Sequence, residues 1–111
     1  MKQVKKGEVY FIQCGSLYKI GATANLYGRF SAIRTTNPDE CFLIHSIKSN
    51  DMFLTESLFK ERFSRINIHG EWFTLSDTDI SYIKTGRYSK AIQSSIGNTK
   101  QWTVIPELMV V

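Results

Sequence analysis

The first patterned stretch, residues 8–14 (Glu-Val-Tyr-Phe-Ile-Gln-Cys), is dense in β-branched and aromatic side chains and predicts a strand. Gly15-Ser16 follows and suits a two-residue hairpin turn with glycine at its first central position, so residues 17–21 are expected to return as a second strand. Asn25 is placed to cap a helix from residue 26 to about 34, in which Leu26, Phe30 and Ile33 fall at i, i+4 and i+7 as an apolar stripe. Asn37-Pro38 ends that helix, and residues 41–48 predict a third strand. Asn50 or Asp51 caps a second helix, from about residue 52 to 65. His69-Gly70 marks a turn before residues 71–75, and Ser76 or Asp77 caps a third helix, about 79–84, that stops near Gly86.

This order of elements predicts an α+β domain over residues 1–85, followed by a C-terminal extension over 86–111. Within the extension, residues 87–101 are rich in Ser, Lys, Gln and Asn and read as linker, whereas residues 102–111 are strongly apolar. An exposed apolar segment is a liability, so this one is expected to be buried, either on the sheet or through self-association as a homodimer. Pro106 confines it to an edge if it forms a strand.

The chain has 111 residues, the size of one domain. Hydrophobic residues make up 42% and aromatic residues 13%, which excludes wholesale disorder. No apolar run approaches the roughly 18–20 residues that span a bilayer, and the basic start leads straight into a strand pattern rather than an apolar signal segment. A chain that does not engage a membrane is expected. Two cysteines, Cys14 and Cys41, make no disulfide framework, so a reduced, cytoplasmic protein is expected. Together with His45 and His69 they match no compact zinc spacing. The net charge of +4 permits a polyanionic partner without demanding one.

The hairpin has a chemical consequence. With a two-residue turn, Cys14 lies opposite Leu17, Ile12 opposite Lys19 and Tyr10 opposite Gly21. Tyr10 and Lys19 are then diagonal neighbours on one sheet face, about 7–8 Å apart, and Gly21 leaves room beside the phenol. A three-residue turn would put Tyr10 and Lys19 on opposite faces.

Gly7-Glu8-Val9-Tyr10, then Lys19-Ile20-Gly21, Arg29, Glu56 and Gly70-Glu71-Trp72-Phe73 occur in this order. Together they resemble the GIY-YIG endonuclease superfamily. The likeness is to its short phage and bacterial branch, in which the second motif reads Lys-Ile-Gly and the domain closes on Gly-Glu-Trp-Phe. That branch includes the domain named after meiotically up-regulated gene 113. The resemblance implies a small three-stranded antiparallel sheet flanked by helices, and hydrolysis of DNA phosphodiesters with Mg²⁺ or Mn²⁺. By position in the motifs, Tyr10 matches a general base or water-orienting group, Lys19 stands where many members carry a second tyrosine, Arg29 matches the arginine that meets the scissile phosphate, and Glu56 matches the carboxylate that binds the metal. Lys19, Arg29 and Lys60 are the expected DNA contacts.

Those residue types suit the chemistry. Phosphodiester cleavage builds negative charge on the phosphate and on the leaving oxygen. A guanidinium offers fixed donors to the phosphate oxygens. A divalent ion neutralises charge and activates water, and Mg²⁺ accepts one carboxylate alongside several waters. A phenol near pKa 10 is a poor base at neutral pH, so Tyr10 would need the help of the Lys19 ammonium. Three positions depart from the superfamily pattern. Ile33 stands where most members have His or Tyr, Lys60 stands where this branch often has His, and the superfamily asparagine has only Asn67 as a loose match, with Glu71 competing. These departures sustain a second expectation: a module of the same fold, weakly active or inactive, that binds nucleic acid or a protein partner.

Overall fold

The computed structural model describes residues 4–102. The expected self-associating segment 102–111 lies, apart from Trp102, outside the described residues. β1 (Gly7–Cys14) turns into β2 (Leu17–Thr23), followed by α1 (Leu26–Thr36), β3 (Cys41–Ser49), α2 (Met52–Arg62), β4 (Asn67–His69), β5 (Trp72–Phe73), α3 (Asp77–Thr85) and α4 (Lys90–Ile96). The strands form one antiparallel sheet in the order β3-β1-β2-β5-β4. The α+β class is as expected, but the sheet has five strands where three were expected. The two added strands are three and two residues long, too short for alternation to announce them. They are held on the β2 side by the Ile20 N–H, which donates to the Glu71 carbonyl at 3.0 Å. The Asn67 amide closes their turn by donating to the carbonyls of Gly70 and Trp72 at 2.8 and 3.0 Å.

The β1–β2 register is the one a two-residue turn requires: Tyr10 pairs with Gly21, Ile12 with Lys19 and Cys14 with Leu17. Gly15 makes that turn at φ +63°, a left-handed conformation that costs glycine little. On the other side β1 pairs with β3, where the register shifts by one residue between Phe11–His45 and Ile12–Leu43, a bulge that restores opposition at Cys14–Cys41.

The helix starts resolve the capping alternatives. Asn25 accepts from the Gly28 N–H at 3.1 Å, Asp51 accepts from Leu54 at 3.4 Å, and Ser76 forms a reciprocal capping box with Asp79. Helices then cover both sheet faces. Val9 and Phe11 point to a core built with Phe59 of α2, Ile83 of α3 and Ile92 of α4. Tyr10, Ile12 and Cys14 point the other way, to Ile33, Leu26 and Phe30 of α1. Alternate β1 residues thus feed two hydrophobic layers, and Val9 through Ile12 are completely buried.

Two expectations are corrected here. The stretch read as linker contains α4, which is docked by a buried hydroxyl cluster. The Thr55 and Ser95 hydroxyls lie 2.6 Å apart, Ser49 and Thr55 lie 2.8 Å apart, and Ser49 donates to the Ser95 carbonyl at 3.2 Å. Polar residues on this helix are core residues because they satisfy one another, a signal that hydrophobic periodicity does not carry. The cysteines, expected to be reduced, are joined as a disulfide across β1 and β3, with their Cα atoms 4.3 Å apart. Among the described residues no helix is long and apolar enough to cross a membrane.

Tyr88 closes the larger core. Its ring meets Phe59 edge-on at 5.2 Å, and its hydroxyl donates to the Ile83 carbonyl. Burial, reinforced by Tyr82, pushes its pKa up to about 12 from 10.0. A raised folded-state pKa gives stability that is fully present below pH 10.0 and is lost as the pH rises through about 12. Tyr88→Phe should therefore flatten the decline of stability across that window, as read by urea unfolding at stepped pH.

Candidate functional site

Four elements deliver the motif side chains to one place. β1 supplies Tyr10, and its pairing with β2 sets Lys19 on the same face. α1 begins at the Asn25 cap, and Arg29 sits one turn in, its N–H bonded to the Asn25 carbonyl at 3.1 Å. α2 supplies Glu56 and, one helical turn later, Lys60. β5 is preceded by Glu71, whose carbonyl is bonded to β2.

Tyr10 is completely buried, and its hydroxyl meets no hydrogen-bond partner among the described residues. Burial raises the phenol's pKa; the charges of Glu71 and Glu56 add to the rise, and the nearby Arg29 guanidinium opposes it without reaching hydrogen-bonding geometry. Tyr10 therefore stays protonated at neutral pH and is a donor, not a base. The Lys19 ammonium, expected to assist it, is engaged elsewhere: it pairs with Glu71 at 3.1 Å and lies 5.1 Å from the centre of the Trp72 ring.

Beyond Lys19 runs a chain of alternating charges. Glu71 is bound by Lys19 on one carboxylate oxygen and by Lys60 on the other, at 3.1 and 3.2 Å. Lys60 also holds Glu56 at 2.8 Å. Burial disfavours the Lys60 charge, but Glu56 and Glu71 outweigh it and raise the pKa. Burial likewise works against the Glu71 charge, and Lys19 and Lys60 reverse it, so that carboxyl lies below its usual range. A fully exposed pair at this helical spacing is worth only about 0.3–0.5 kcal/mol. Here Glu56 retains 14% of its side-chain exposure and Lys60 27%, so solvent screens the contact less.

The structure thus brings Tyr10, Lys19, Arg29, Glu56 and Lys60 together and adds Glu71, considered from sequence only as a competitor of Asn67. The available signal was its place in the Gly-Glu-Trp-Phe motif, but its two lysine partners are distant in sequence and meet it only once β5 pairs with β2. Asn67 spends its amide on the β4–β5 turn, and Ile33 is buried beside Tyr10 in the α1 layer. Among the described residues no group of three or more His, Cys, Asp and Glu is gathered as a metal cluster. Glu56 and Glu71 supply hard carboxylate oxygens, a donor type that suits Mg²⁺ or Mn²⁺, flanking a cationic nitrogen.

A scan against protein-family models matches the T5orf172 domain over residues 4–101. The chain belongs to the T5orf172 domain family, a nuclease-associated group compatible with a DNA endonuclease function. No curated protein and no solved structure matches it.

The packing around the phenol can be tested independently of function. A methyl group on Gly21 would run into the hydroxyl end of Tyr10, which is enclosed and cannot yield. Gly21→Ala should cost about 1–3 kcal/mol of stability by overpacking. Tyr10→Phe should cost none, because it deletes a buried, unpartnered hydroxyl whose desolvation carries a penalty of about 1–3 kcal/mol. Chemical unfolding of the two variants measures both.

Proposed function

We propose that this chain is a divalent-metal-dependent DNA endonuclease of GIY-YIG type. One observation carries the reading: residues from β1, β2, α1 and α2 that stand at the motif positions converge on the buried, unpartnered hydroxyl of Tyr10. A structural tyrosine has no need of an orphan hydroxyl inside a ring of charges.

Each side chain then has a role. Arg29 is exposed on α1 and donates to the oxygens of the scissile phosphate, in the ground state and as charge develops. Tyr10, held protonated, donates a hydrogen bond that orients the attacking water or the phosphate. Lys19 fixes Glu71 and contributes positive charge to the approach of DNA. Glu56 would hold Mg²⁺ or Mn²⁺, with Glu71 as the second carboxylate within reach of the same ammonium. A bound divalent ion supplies charge neutralisation and lowers the pKa of a water.

Plasmid nicking with Mg²⁺ or Mn²⁺ is the test. Glu56→Ala should abolish cleavage while leaving DNA affinity unchanged or slightly higher. Arg29→Ala should lose both cleavage and affinity. Tyr10→Phe should lose rate with little change in binding. Undiminished cleavage by Glu56→Ala would sink the assignment.

A second reading, a DNA-binding module without efficient catalysis, is favoured by one contact: the Glu56 carboxylate is already engaged by Lys60. For either reading, binding to duplex DNA should weaken with salt at a log–log slope of about 0.9 per phosphate contacted, for about three to five contacts in all. Salt-insensitive binding, or no binding at low salt, would point to a protein partner instead.

A further inference from the structure

The carboxylate assigned to the metal is the same carboxylate that Lys60 grips most closely. Lys60 lies one helical turn beyond Glu56, so the two side chains rise from α2 on the same face, and the ammonium is 2.8 Å from Glu56 Oε2. On its far side the same nitrogen is 3.2 Å from Glu71 Oε2. A single ammonium therefore sits between two carboxylates from different elements, which is where a small hard cation would be drawn by charge. An ammonium and a divalent ion cannot share that position, because like charges a few ångströms apart repel.

From this we infer that Lys60 is the resident cation of the site, and that a divalent ion reaches Glu56 only by exchange with it. The inference rests on the assignment of Glu56 as the metal carboxylate. The geometry also gives the displaced ammonium somewhere to go. Lys60 keeps Glu71 as a partner when it leaves Glu56, and Glu71 is steadied on its other oxygen by Lys19 at 3.1 Å. The exchange thus moves one flexible side chain without leaving its charge unpaired. Its consequence is a lowered affinity for the free ion, set by the charge of one side chain.

The test is Mn²⁺ binding to the full chain without DNA, followed by the loss of the free-ion signal in electron paramagnetic resonance. Lys60→Met keeps the length of the side chain and removes its charge. It should bind Mn²⁺ about tenfold more tightly than the wild type, equivalent to ~1.4 kcal/mol. Lys60→Arg, which retains a competing cation, should stay within about threefold of the wild type, well short of that tenfold step. The gain should vanish in Lys60→Met combined with Glu56→Gln. Circular dichroism and thermal unfolding establish that each variant is folded.

Equal Mn²⁺ affinity in the wild type and Lys60→Met overturns the exchange, as does failure of both to bind. A gain that survives Glu56→Gln also overturns it, because the ion then lies elsewhere. These outcomes are separable from the fate of the nuclease reading. Metal-dependent nicking lost in Glu56→Ala, without any Mn²⁺ gain in Lys60→Met, keeps the nuclease and rejects the exchange. The Mn²⁺ gain without nicking keeps the exchange and rejects the nuclease.

Discussion

The fold depends on burying β1 on both faces. Val9, Tyr10, Phe11 and Ile12 have no solvent exposure, so every side chain in that run belongs to one hydrophobic layer or the other. Because strand side chains alternate, the division is automatic: Val9 and Phe11 join the layer of α2, α3 and α4, while Tyr10 and Ile12 join that of α1. A slip of one residue would exchange the two sets and bring the phenol into the larger core. The tight turn at Gly15 and the fixed opposition of Tyr10 with Gly21 protect against that slip. The site is a by-product of the same constraint, since the register that fills both cores also sets Lys19 beside Tyr10.

Packing and chemistry meet most closely at the Tyr10 hydroxyl. A group buried without a partner is ordinarily removed or satisfied, because leaving it so costs about 1–3 kcal/mol. Here the ring contributes to the α1 layer while its polar end reaches the charges of Arg29, Glu56 and Glu71. Burial sets the direction at the phenol: the Arg29 guanidinium opposes the rise, and both carboxylates add to it. The result is a proton donor fixed in orientation by its packing, which places the work of activating water on some other group.

Much of this was legible in the sequence, for identifiable reasons. The hairpin register followed from Gly15-Ser16, and the three helix starts from short polar residues at Asn25, Asp51 and Ser76. Local chemistry was enough for both. The rest depends on contacts between distant segments. β4 and β5 are too short to alternate and exist because β2 offers an edge. α4 lies in a Ser-rich stretch whose Ser95 becomes a core residue only when Ser49 and Thr55 face it. Cys14 and Cys41 are brought into opposition by a bulge in β3 that no composition rule reveals. Among the candidate site residues, Tyr10, Lys19, Arg29 and Glu56 were read from motif order, whereas Glu71 meets Lys19 and Lys60 through a strand pairing that sequence did not show.

The charge balance of the patch bears on what it attracts. Lys19, Arg29 and Lys60 face Glu56 and Glu71, three cationic side chains against two carboxylates. Both carboxylates already have lysine partners, so the patch is not short of positive charge. Arg29 is the cation without a carboxylate in this set, and it is exposed on α1 near the phenol. Under the endonuclease reading, a singly charged anion at Arg29 would complete the balance. A phosphodiester carries that charge and has oxygens to accept from a guanidinium. The departure at Lys60 falls among these carboxylates, whereas the departure at Ile33 falls in the α1 layer beside Tyr10.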